Sequence, residues 1–310
     1  MIQITQCYDY YAFGLTVRSE IPLPELIARA DDRDAAADVS IVVSDLSGLW
    51  ERHAGERKYT AADEQRVMFR IPGSAIYCIE GGDRIAVSPM AGSDEDEIRL
   101  YILGTCMGAA LLQRKQLPLH GSAVAMDGKA FVIAGESGAG KSTLASALLR
   151  AGCSLLGDDI AAILLAGPDC IPYALPAYPQ QKLWQESLAQ LGMEKNGYRP
   201  LFGRETKYSV PAHARFHAEP LPLAGVIELV KTEGSRAEIR PIGGLEKISM
   251  LHRHTFRNLL LRPLGLLSWH LQATAGMAGR LSFYQLRRPT AGCAAEELAS
   301  LLLAALKEDG

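Results

Sequence analysis

The chain has 310 residues, 48% of them hydrophobic and 22% charged, a composition typical of a soluble globular protein with one large or two ordinary domains. Its 32 lysines and arginines against 35 aspartates and glutamates leave a net charge of -3, so no global basic field favours nucleic acid or an anionic membrane as a partner. No apolar run reaches the roughly 18 residues that a membrane-spanning helix needs, and residues 1–6 lack the pattern of a signal peptide, so we expect a cytoplasmic protein.

The cysteines are scattered along the chain without a C-x-x-C pair. This spacing argues against a zinc site and against a disulfide framework. We expect buried free thiols in a reducing compartment at all of these positions: Cys7, Cys78, Cys106, Cys153, Cys170 and Cys293.

Residues 1–115 are predicted to form a β-rich N-terminal domain that ends in a bridging helix. Ser93 and Asp96 resemble a capping box for this helix, and apolar residues at helical spacing follow to about residue 114. The strands before it are predicted from alternating or β-branched apolar residues and, for the last pair, from a hairpin turn: residues 13–17, 39–43, 67–71, 75–79 and 84–88.

The second predicted domain, residues 116–310, opens with a glycine-rich loop between an apolar strand and a helix. Residues 119–126 and 129–134 are apolar runs joined by Asp127-Gly128, which predicts a hairpin that leads into the loop. The loop fills the pattern G-x-x-x-x-G-K-[ST], and residues 143–150 follow as a helix that Gly152 would stop. This is the pattern of a phosphate-binding loop in its expected strand and helix context.

The loop residues suit a triphosphate with Mg²⁺. Glycines can point successive backbone N–H groups at phosphates, Lys141 adds a mobile positive charge, and the Ser142 hydroxyl can be a Mg²⁺ ligand. The N-terminus of the following helix adds its dipole. We therefore predict ATP and Mg²⁺ as cofactors and assign these residues to the nucleotide: Gly135, Glu136, Ser137, Gly138, Ala139, Gly140, Lys141, Ser142 and Thr143.

Two adjacent carboxylates, Asp158 and Asp159, follow a short predicted strand after the loop helix. Neighbouring side chains in an extended segment point to opposite sides, so the two acids are expected to do different work. One of them can reach the Mg²⁺ held by Ser142 and the other a substrate hydroxyl, the division of labour that phosphoryl transfer requires. His120, on the hairpin strand, is by itself as readily a structural side chain as a catalytic one.

Further cations of the second domain are candidates for contacts with phosphate or substrate. Lys182 lies in a segment too irregular for a core strand, so it is either a surface lysine or a site residue. Lys207 follows a polar, Gly-containing stretch that is typical of a mobile loop able to close over substrate. Arg253 or Arg257 could meet a phosphate or an acidic peptide, but a charged outer helix face is the simpler interpretation for at least one of them.

The remaining elements follow from apolar periodicity and turn residues. Residues 197–206 are expected to be the loop before Lys207, and residues 223–230 to pair with residues 237–240 in a hairpin. Helices are predicted over residues 244–261, 264–278 and 294–307, and a strand over residues 282–286.

Between His120 and Asp159 the chain resembles the catalytic domain of HPr kinase/phosphorylase. The resemblance rests on His120-Gly121, the hairpin, the loop G-x-S-G-x-G-K-S that ends at Ser142, the helix, and the paired acids. It implies an α/β fold with a P-loop kinase domain of the HPr kinase / phosphoenolpyruvate carboxykinase type, here preceded by the β-rich N-terminal domain.

The resemblance also implies a role for each residue of the site. Lys141 would hold the phosphates, and Ser142 and Asp159 would hold the Mg²⁺. Asp158 would take the proton from an acceptor serine, and His120 would lie beside Asp158 and support it.

A weaker likeness extends to HPr-kinase-related proteins from peptide biosynthesis clusters, among which are kinases that phosphorylate a serine at the C-terminus of a lasso peptide precursor. Genuine HPr kinases carry a Glu-Val-Arg-Gly-Leu-Gly segment after the paired acids, where this chain has Ile-Pro-Tyr-Ala-Leu-Pro-Ala at residues 171–177. The resemblance therefore does not extend to HPr as the substrate or to the reverse phosphorylase reaction. The weaker likeness is carried by residues 13–26, 178–184, 253–257 and 284–289.

Together, the motif and the resemblance predict an ATP-dependent serine kinase that acts on a peptide or protein, with a lasso peptide precursor as the expected substrate. Homo-oligomer formation is left open. One alternative is an ATP-binding or ATP-hydrolysing regulatory or sensor module, and another is an HPr protein kinase/phosphorylase. Small-molecule phosphorylation or carboxykinase-like chemistry in the same fold is a further alternative, and the carboxykinase one ranks low because no Lys and His set for a second cation is visible.

Overall fold

A computed structural model of the chain describes residues 6–29, 36–54, 59–167, 169–290 and 294–308. The chain divides into two compact units, one of Met1–Leu117 with Arg257–His270 and the other of Pro118–Phe256 with Leu271–Gly310. Most of the N-terminal segment examined for a signal peptide, and also Cys293, lie outside the described residues.

The first unit is built on short strands. They are β1 (Tyr8–Ala12), β2 (Leu15–Ser19), β3 (Ile27–Ala28), β4 (Val39–Val43), β5 (Thr60–Ala62), β6 (Arg66–Ile71), β7 (Ala75–Glu80) and β8 (Arg84–Pro89). They form one eight-stranded sheet in the order β3-β1-β2-β4-β8-β7-β6-β5. The strands predicted at residues 39–43, 67–71, 75–79 and 84–88 are confirmed, whereas the one predicted at residues 13–17 begins only at Leu15, because residues 13 and 14 form the turn before it. The strands β7 and β8 pair as the predicted hairpin, with Ile79 opposite Ile85. A helix that the sequence analysis missed, α1 (Ser47–Ala54), follows β4.

The predicted bridging helix is present, with two differences. It runs as α2 (Glu95–Tyr101), a π-helical turn (Ile102–Cys106) and α3 (Met107–Gln113). Asp94 caps α2, because its side chain accepts a hydrogen bond from the backbone N–H of Asp96 at 2.7 Å. The predicted capping box at Ser93 is therefore wrong by one residue, since aspartate is as good an N-cap as serine.

The second unit holds the remaining strands. They are β9 (Leu117–Met126), β10 (Lys129–Ala134), β11 (Ser154–Gly157), β12 (Ile160–Ala166), β13 (Ile171–Leu175), β14 (Gln180–Trp184), β15 (Arg199–Leu201), β16 (Arg204–Pro211), β17 (Leu221–Thr232), β18 (Glu238–Pro241) and β19 (Ser282–Pro289). The main sheet has the order β10-β9-β12-β13-β17-β19-β18, and β10 also pairs with β17. The path from β10 through β9, β12 and β13 to β17 therefore closes on itself.

The hairpin that leads into the glycine loop is confirmed. β9 and β10 pair antiparallel, with Met126 opposite Lys129, and the φ angles of Asp127 and Gly128 are 49° and 73°. These positive values are the ones that a tight two-residue hairpin turn requires. On its other side β10 pairs parallel with β17, so the strand before the loop has one antiparallel and one parallel neighbour.

The α-helices of the rest of the chain are α4 (Lys141–Arg150), α5 (Gln185–Gln190), α6 (Gly244–His254), α7 (Leu267–Arg280) and α8 (Ala295–Glu308), with 3-10 turns at His213–Arg215 and Asn258–Leu260. Helix α4 ends as predicted: Gly152 has φ of 105°, and the N–H groups of Gly152 and Cys153 donate to the carbonyls of Leu149 and Leu148. This is the Schellman arrangement. Leu144 and Leu148 of α4 share an apolar core with Leu302 of α8 and with β10 and β17.

Two predicted elements of the second unit are wrong, the first of them because strand pairing there is not local in sequence. Residues 223–230 and 237–240 do not form a hairpin, since β19 lies between β17 and β18. Residues 197–206 were expected to be a loop, but they include β15 and the start of β16, which join β14 in a three-stranded antiparallel sheet.

The helix predicted over residues 244–261 ends at His254, because the next residue, Thr255, forms a β-bridge with Leu119. Leu259, within the predicted span but beyond the end of the helix, is 88% exposed.

No helix in the described part of the chain has the length and apolarity to cross a membrane. Cys78, Cys106 and Cys153 are buried free thiols, as expected, whereas Cys7 and Cys170 are exposed, so the expectation of burial is wrong for those two.

Candidate active site

The glycine loop joins the end of β10 to the first turn of α4. The φ angles of Gly135, Gly138 and Gly140 are 154°, 79° and 102°, values that side chains with a Cβ adopt rarely. At Gly135 a Cβ would also lie 2.5 Å from the carbonyl oxygen of Leu229 on the neighbouring strand β17. The loop therefore needs glycine at its first position for two reasons, backbone conformation and the close approach of a second strand.

The residues assigned to the nucleotide, Gly135 to Thr143, all lie in this loop and the first turn of α4, and their contact with a nucleotide stays a prediction. Two of them carry distinct local contacts. The ammonium of Lys141 donates to the carbonyl oxygens of Gly135 and Glu136 at 2.9 and 3.1 Å. Thr143 shares a 2.7 Å hydrogen bond with the Ser187 hydroxyl of α5, so its own hydroxyl is engaged inside the fold.

The side chain of Lys141 is buried, and this burial lowers the pKa of its ammonium, a shift that the charges of Asp158 and Asp159 oppose. Among the described residues, the hydrogen-bond partners of this ammonium are the two carbonyl oxygens of the loop. A phosphate held by the loop would offer it a charged acceptor, and charge-assisted hydrogen bonds are roughly twice as strong as neutral ones.

Asp158 is 3% exposed and is held by neutral donors. Its Oδ1 accepts from the hydroxyls of Ser122 and Ser142 at 2.6 and 2.9 Å, and its Oδ2 accepts from the backbone N–H of Lys182 at 2.8 Å. The resemblance assigned Ser142 and Asp159 to the Mg²⁺, and that assignment stays a prediction, whereas the hydrogen bond of Ser142 is with Asp158. Ser122 was missed; the only signal for it in the sequence is its place two residues after His120, on the same face of β9.

Asp159 has different partners from Asp158. Its Oδ2 lies 2.8 Å from the Lys182 ammonium, and its backbone carbonyl lies 3.1 Å from His120 Nδ1. His120 therefore lies beside Asp159 and not, as the resemblance implied, beside Asp158. The physical reason is the φ of 74° at Asp159, which turns the chain between the two acids, so they do not alternate as they would in a strand.

The electrostatics of this corner favour a charged Asp159 and a neutral His120. Burial alone would raise the pKa of Asp159, but the Lys182 ammonium outweighs it and holds this pKa well below its ordinary value. Burial and the charge of Lys141 lower the pKa of His120, against the opposing effect of Asp159. Because a carbonyl oxygen can only accept, His120 carries its proton on Nδ1 when neutral and leaves Nε2 with a lone pair.

Lys182 lies on β14, and its side chain is 7% exposed. The expectation that its segment is too irregular for a core strand is therefore wrong. Burial alone would lower the pKa of Lys182, but the Asp159 carboxylate raises it well above its ordinary value. Of the two alternatives for this residue, surface or site, the structure places it in the site.

Two of the other candidate cations, Arg253 and Arg257, make contacts with side chains distant in sequence. Arg253 Nη1 donates to Glu228 at 3.0 Å and Arg257 Nη2 to the Thr105 hydroxyl at 2.8 Å. Arg288 of β19, not singled out as a site residue, donates from Nε to the carbonyl oxygen of Ala139 at 2.8 Å. A guanidinium is thereby fixed against the glycine loop.

This arrangement defines a class of protein: a P-loop α/β protein whose phosphate-binding loop faces a serine-held acid and a lysine-held acid. The former is suited to a hard divalent cation and the latter to an alcohol proton.

One comparison with known proteins, by sequence, agrees with that class. No protein-family model matches the chain. Over 159 residues, 47% of the chain, it is 28% identical to the HPr kinase/phosphorylase of Nitrosomonas europaea (strain ATCC 19718), and the match spans 48% of that relative, about half of its length. Among solved structures, it is similar to the HPr(Ser) kinase/phosphatase from Coxiella burnetii with a TM-score of 0.31 and 13% identity, over 62% of this chain and 99% of that one.

Over about half of its length, the chain is thus similar in sequence to an HPr kinase/phosphorylase. The predicted family resemblance is confirmed, and so is the α/β fold class with a β-rich N-terminal sheet.

Proposed function

We propose that the protein is an ATP-dependent kinase that transfers the γ-phosphoryl group to a serine of a peptide or protein. One observation carries the proposal. The Ser142 hydroxyl, at the first turn after the glycine loop, lies 2.9 Å from the Asp158 carboxylate, and a second acid with its own lysine follows immediately. A module that only binds nucleotide has no use for that second acid.

The residues present fit Mg²⁺. The Ser142 hydroxyl and the Asp158 carboxylate are hard oxygen ligands, and Mg²⁺ is usually held by one or two carboxylates together with substrate phosphates. We therefore propose Asp158 as the metal-binding acid, in place of Asp159. When bound, the cation neutralises charge on the β- and γ-phosphates.

Asp159 then takes the role of proton acceptor. Its side chain is 24% exposed, so a substrate hydroxyl can reach it, whereas Asp158 is nearly enclosed. As the serine oxygen bonds to the γ-phosphorus and the bond to the β-phosphate oxygen breaks, the hydroxyl proton passes to the Asp159 carboxylate and ADP leaves. Lys182 and His120 position Asp159, and the charge of Lys182 keeps it ionised.

We propose a ribosomal peptide precursor of the lasso type as the acceptor. The support is the likeness of four outlying segments to kinases of that kind, together with the absence of a Glu-Val-Arg-Gly-Leu-Gly segment at residues 171–177, which form β13 and the residues after it. The curated relative is named for HPr, so HPr kinase/phosphorylase activity is the second candidate.

Mass spectrometry of acceptors tests the proposal. Purified full-length protein with ATP and Mg²⁺ is expected to add one phosphate to a serine of a precursor peptide, and HPr is tested in parallel. Lys141→Ala should abolish transfer, whereas Lys129→Ala, an exposed lysine on the preceding hairpin, should leave it unchanged. Bound nucleotide with no phosphorylated product from either acceptor would favour the sensor alternative.

A further inference from the structure

The three-stranded sheet β14-β16-β15 has two chemically different faces. One face presents Leu183, Tyr208 and Val210 to the apolar core that includes Leu144 and Leu148 of the loop helix. The opposite face follows from the register, in which Lys182 is paired with Ser209 and Trp184 with Lys207. Since Lys182 reaches Asp159 from this second face, the face belongs to the candidate active site.

Lys207 is the second lysine of that face, and its surroundings differ from those of Lys182. Its ammonium lies 5.5 Å from the centre of the Trp184 ring, and in the part of the chain that the structure describes it makes no ion pair with a carboxylate. Burial lowers the pKa of Lys207; Asp159 is the strongest opposing charge, and Lys182 adds to the lowering. A half-buried ammonium therefore rests on an aromatic face.

Of the two adjacent acids, only Asp159 has a cation as a hydrogen-bond partner among the described residues. Asp159 is paired with Lys182, and Asp158 is held by neutral donors, as a cation ligand should be. The charges of Asp158 and Asp159 attract both Lys141 and Lys207, and the charge of Lys207 lowers the pKa of Lys141. Asp158 is thus suited to a cation, and Lys141 and Lys207 are suited to an anion, a pattern complementary to a metal-bound phosphate.

We propose that Lys207 is a catalytic residue that leaves the Trp184 ring to donate hydrogen bonds to the transferred phosphoryl group. Trp184 is the side chain against which the Lys207 ammonium lies when no phosphoryl group is bound. This inference rests on the proposed kinase function. Lys207 makes no covalent bond in the reaction. It neutralises charge on the equatorial phosphoryl oxygens while the acceptor oxygen attacks and ADP departs, which is how electrostatic stabilisation of phosphoryl transfer operates.

The fluorescence of Trp184 reports the movement directly. Wild-type protein is titrated with the magnesium complexes of ADP and of a non-hydrolysable ATP analogue, and the same titrations on Trp184→Phe isolate the signal of this tryptophan from those of Trp50 and Trp269. We expect the analogue to change the Trp184 emission and ADP to leave it nearly unchanged, because only the analogue carries a γ-phosphoryl group.

Kinetics supply the second readout. Lys207→Gln should lower kcat for phosphoryl transfer roughly 100-fold to 1000-fold, the range seen when one donor to a transition-state charge is removed, while MgATP affinity falls less than about tenfold. Lys195→Gln changes an exposed lysine of the same region and should have no effect. Lys207→Arg, which keeps the charge, should restore part of the rate.

The outcomes separate this inference from the function on which it rests. Unaltered kcat in Lys207→Gln, or equal emission changes with ADP and with the ATP analogue, would overturn the role of Lys207 and leave the kinase proposal standing. Failure of the wild type to bind MgATP by calorimetry would overturn both.

Discussion

Asp158 and Asp159 are adjacent in sequence, yet neutral donors surround one and a cation faces the other. Ser122, Ser142 and a backbone N–H hold Asp158 without neutralising it, so its negative charge remains available to a metal. Asp159 is neutralised by Lys182 and keeps its ionised form to low pH. Two identical side chains are thus prepared for different steps by their partners alone.

Substituting each acid in turn should therefore give two distinct kinetic defects. Asp159→Asn should lower kcat by roughly 10²–10⁴ with MgATP affinity retained, because the general base is lost. Asp158→Asn should instead raise the Mg²⁺ concentration needed for half-maximal activity and weaken MgATP binding. Single-turnover transfer and calorimetry measure the two quantities, and the reverse pattern would restore Asp158 as the base.

Gly121 is a second residue at which packing around the site can be tested. A Cβ on Gly121 would lie 2.3 Å from the carbonyl oxygen of Ile133. The backbone N–H of Gly121 donates to the carbonyl oxygen of Asp159 at 3.2 Å. We expect Gly121→Ala to lower the free energy of unfolding by about 1–3 kcal/mol, the usual cost of overpacking, in urea denaturation. Gly276→Ala, in a helix with nothing near its Cβ, should not destabilise the protein. Equal stability of the two variants would contradict the predicted clash.

At the residue scale, the sequence could predict what depends on local spacing. The glycine loop and Lys141 are defined by one motif of eight positions, so their places could be predicted one by one. The partners of the acids could not, because they depend on the positive φ of Asp159 and on Lys182, which arrives from a different sheet.

At the scale of elements, β17 and α6 are joined by a buried polar cluster. Glu228 of β17, with its side chain 3% exposed, accepts from His254 Nε2 at 2.8 Å, from Arg253 at 3.0 Å and from Gln285 at 2.7 Å. Glu228 is paired with Ala134, the last residue before the glycine loop. The cluster thus ties the end of α6 to the base of the loop.

This cluster predicts a pH-dependent stability. Burial alone would raise the pKa of Glu228, but the hydrogen bonds and charges of His254, Gln285 and Arg253 lower it below its ordinary value. Because the folded state binds the proton less readily than the unfolded chain, the stabilisation is fully present above about pH 4.5 and is lost as the pH falls through the lower, folded value. Glu228→Gln should therefore cost roughly 1–3 kcal/mol at neutral pH and progressively less below about pH 4.5.

Urea unfolding at several pH values between about 3 and 7 measures this difference. Glu238→Gln is the matched control, since Glu238 is 60% exposed in its ion pair with Arg287 and its loss should cost less than about 1 kcal/mol at any pH. A cost for Glu228→Gln that does not vary with pH would contradict the role of its charge.

Helices and strands could be predicted where turn residues in the sequence marked their ends. The prediction failed where contacts between residues distant in sequence determined strand order or the end of a helix. Asp127-Gly128 specified its hairpin, and Gly152 the end of α4. No local signal showed that β19, from about fifty residues later in the chain, inserts between β17 and β18. The same holds for the end of α6, where the bridge between Thr255 and Leu119 overrides helical periodicity.

At the scale of the whole molecule, each compact unit has its own sheet, and every residue proposed for ATP, Mg²⁺ and proton transfer belongs to the second unit. The sequence analysis placed the boundary after residue 115, and the units divide after Leu117. That Arg257–His270 joins the first unit could not be read from the sequence, because apolar periodicity does not say against which sheet a late segment packs.

Ligand binding should stabilise the molecule through the second unit. A ligand at 100 times its Kd stabilises the folded state by about 2.7 kcal/mol, which for a unit of this size corresponds to a rise in melting temperature of roughly 5–10 °C. We expect MgATP to produce this shift in calorimetric melting, and the gain in hydrogen-exchange protection to include β10 and α4. Lys141→Ala removes the charge that meets the phosphates, so its melting temperature should respond weakly; a shift as large as that of the wild type would mean that the nucleotide binds somewhere other than the glycine loop.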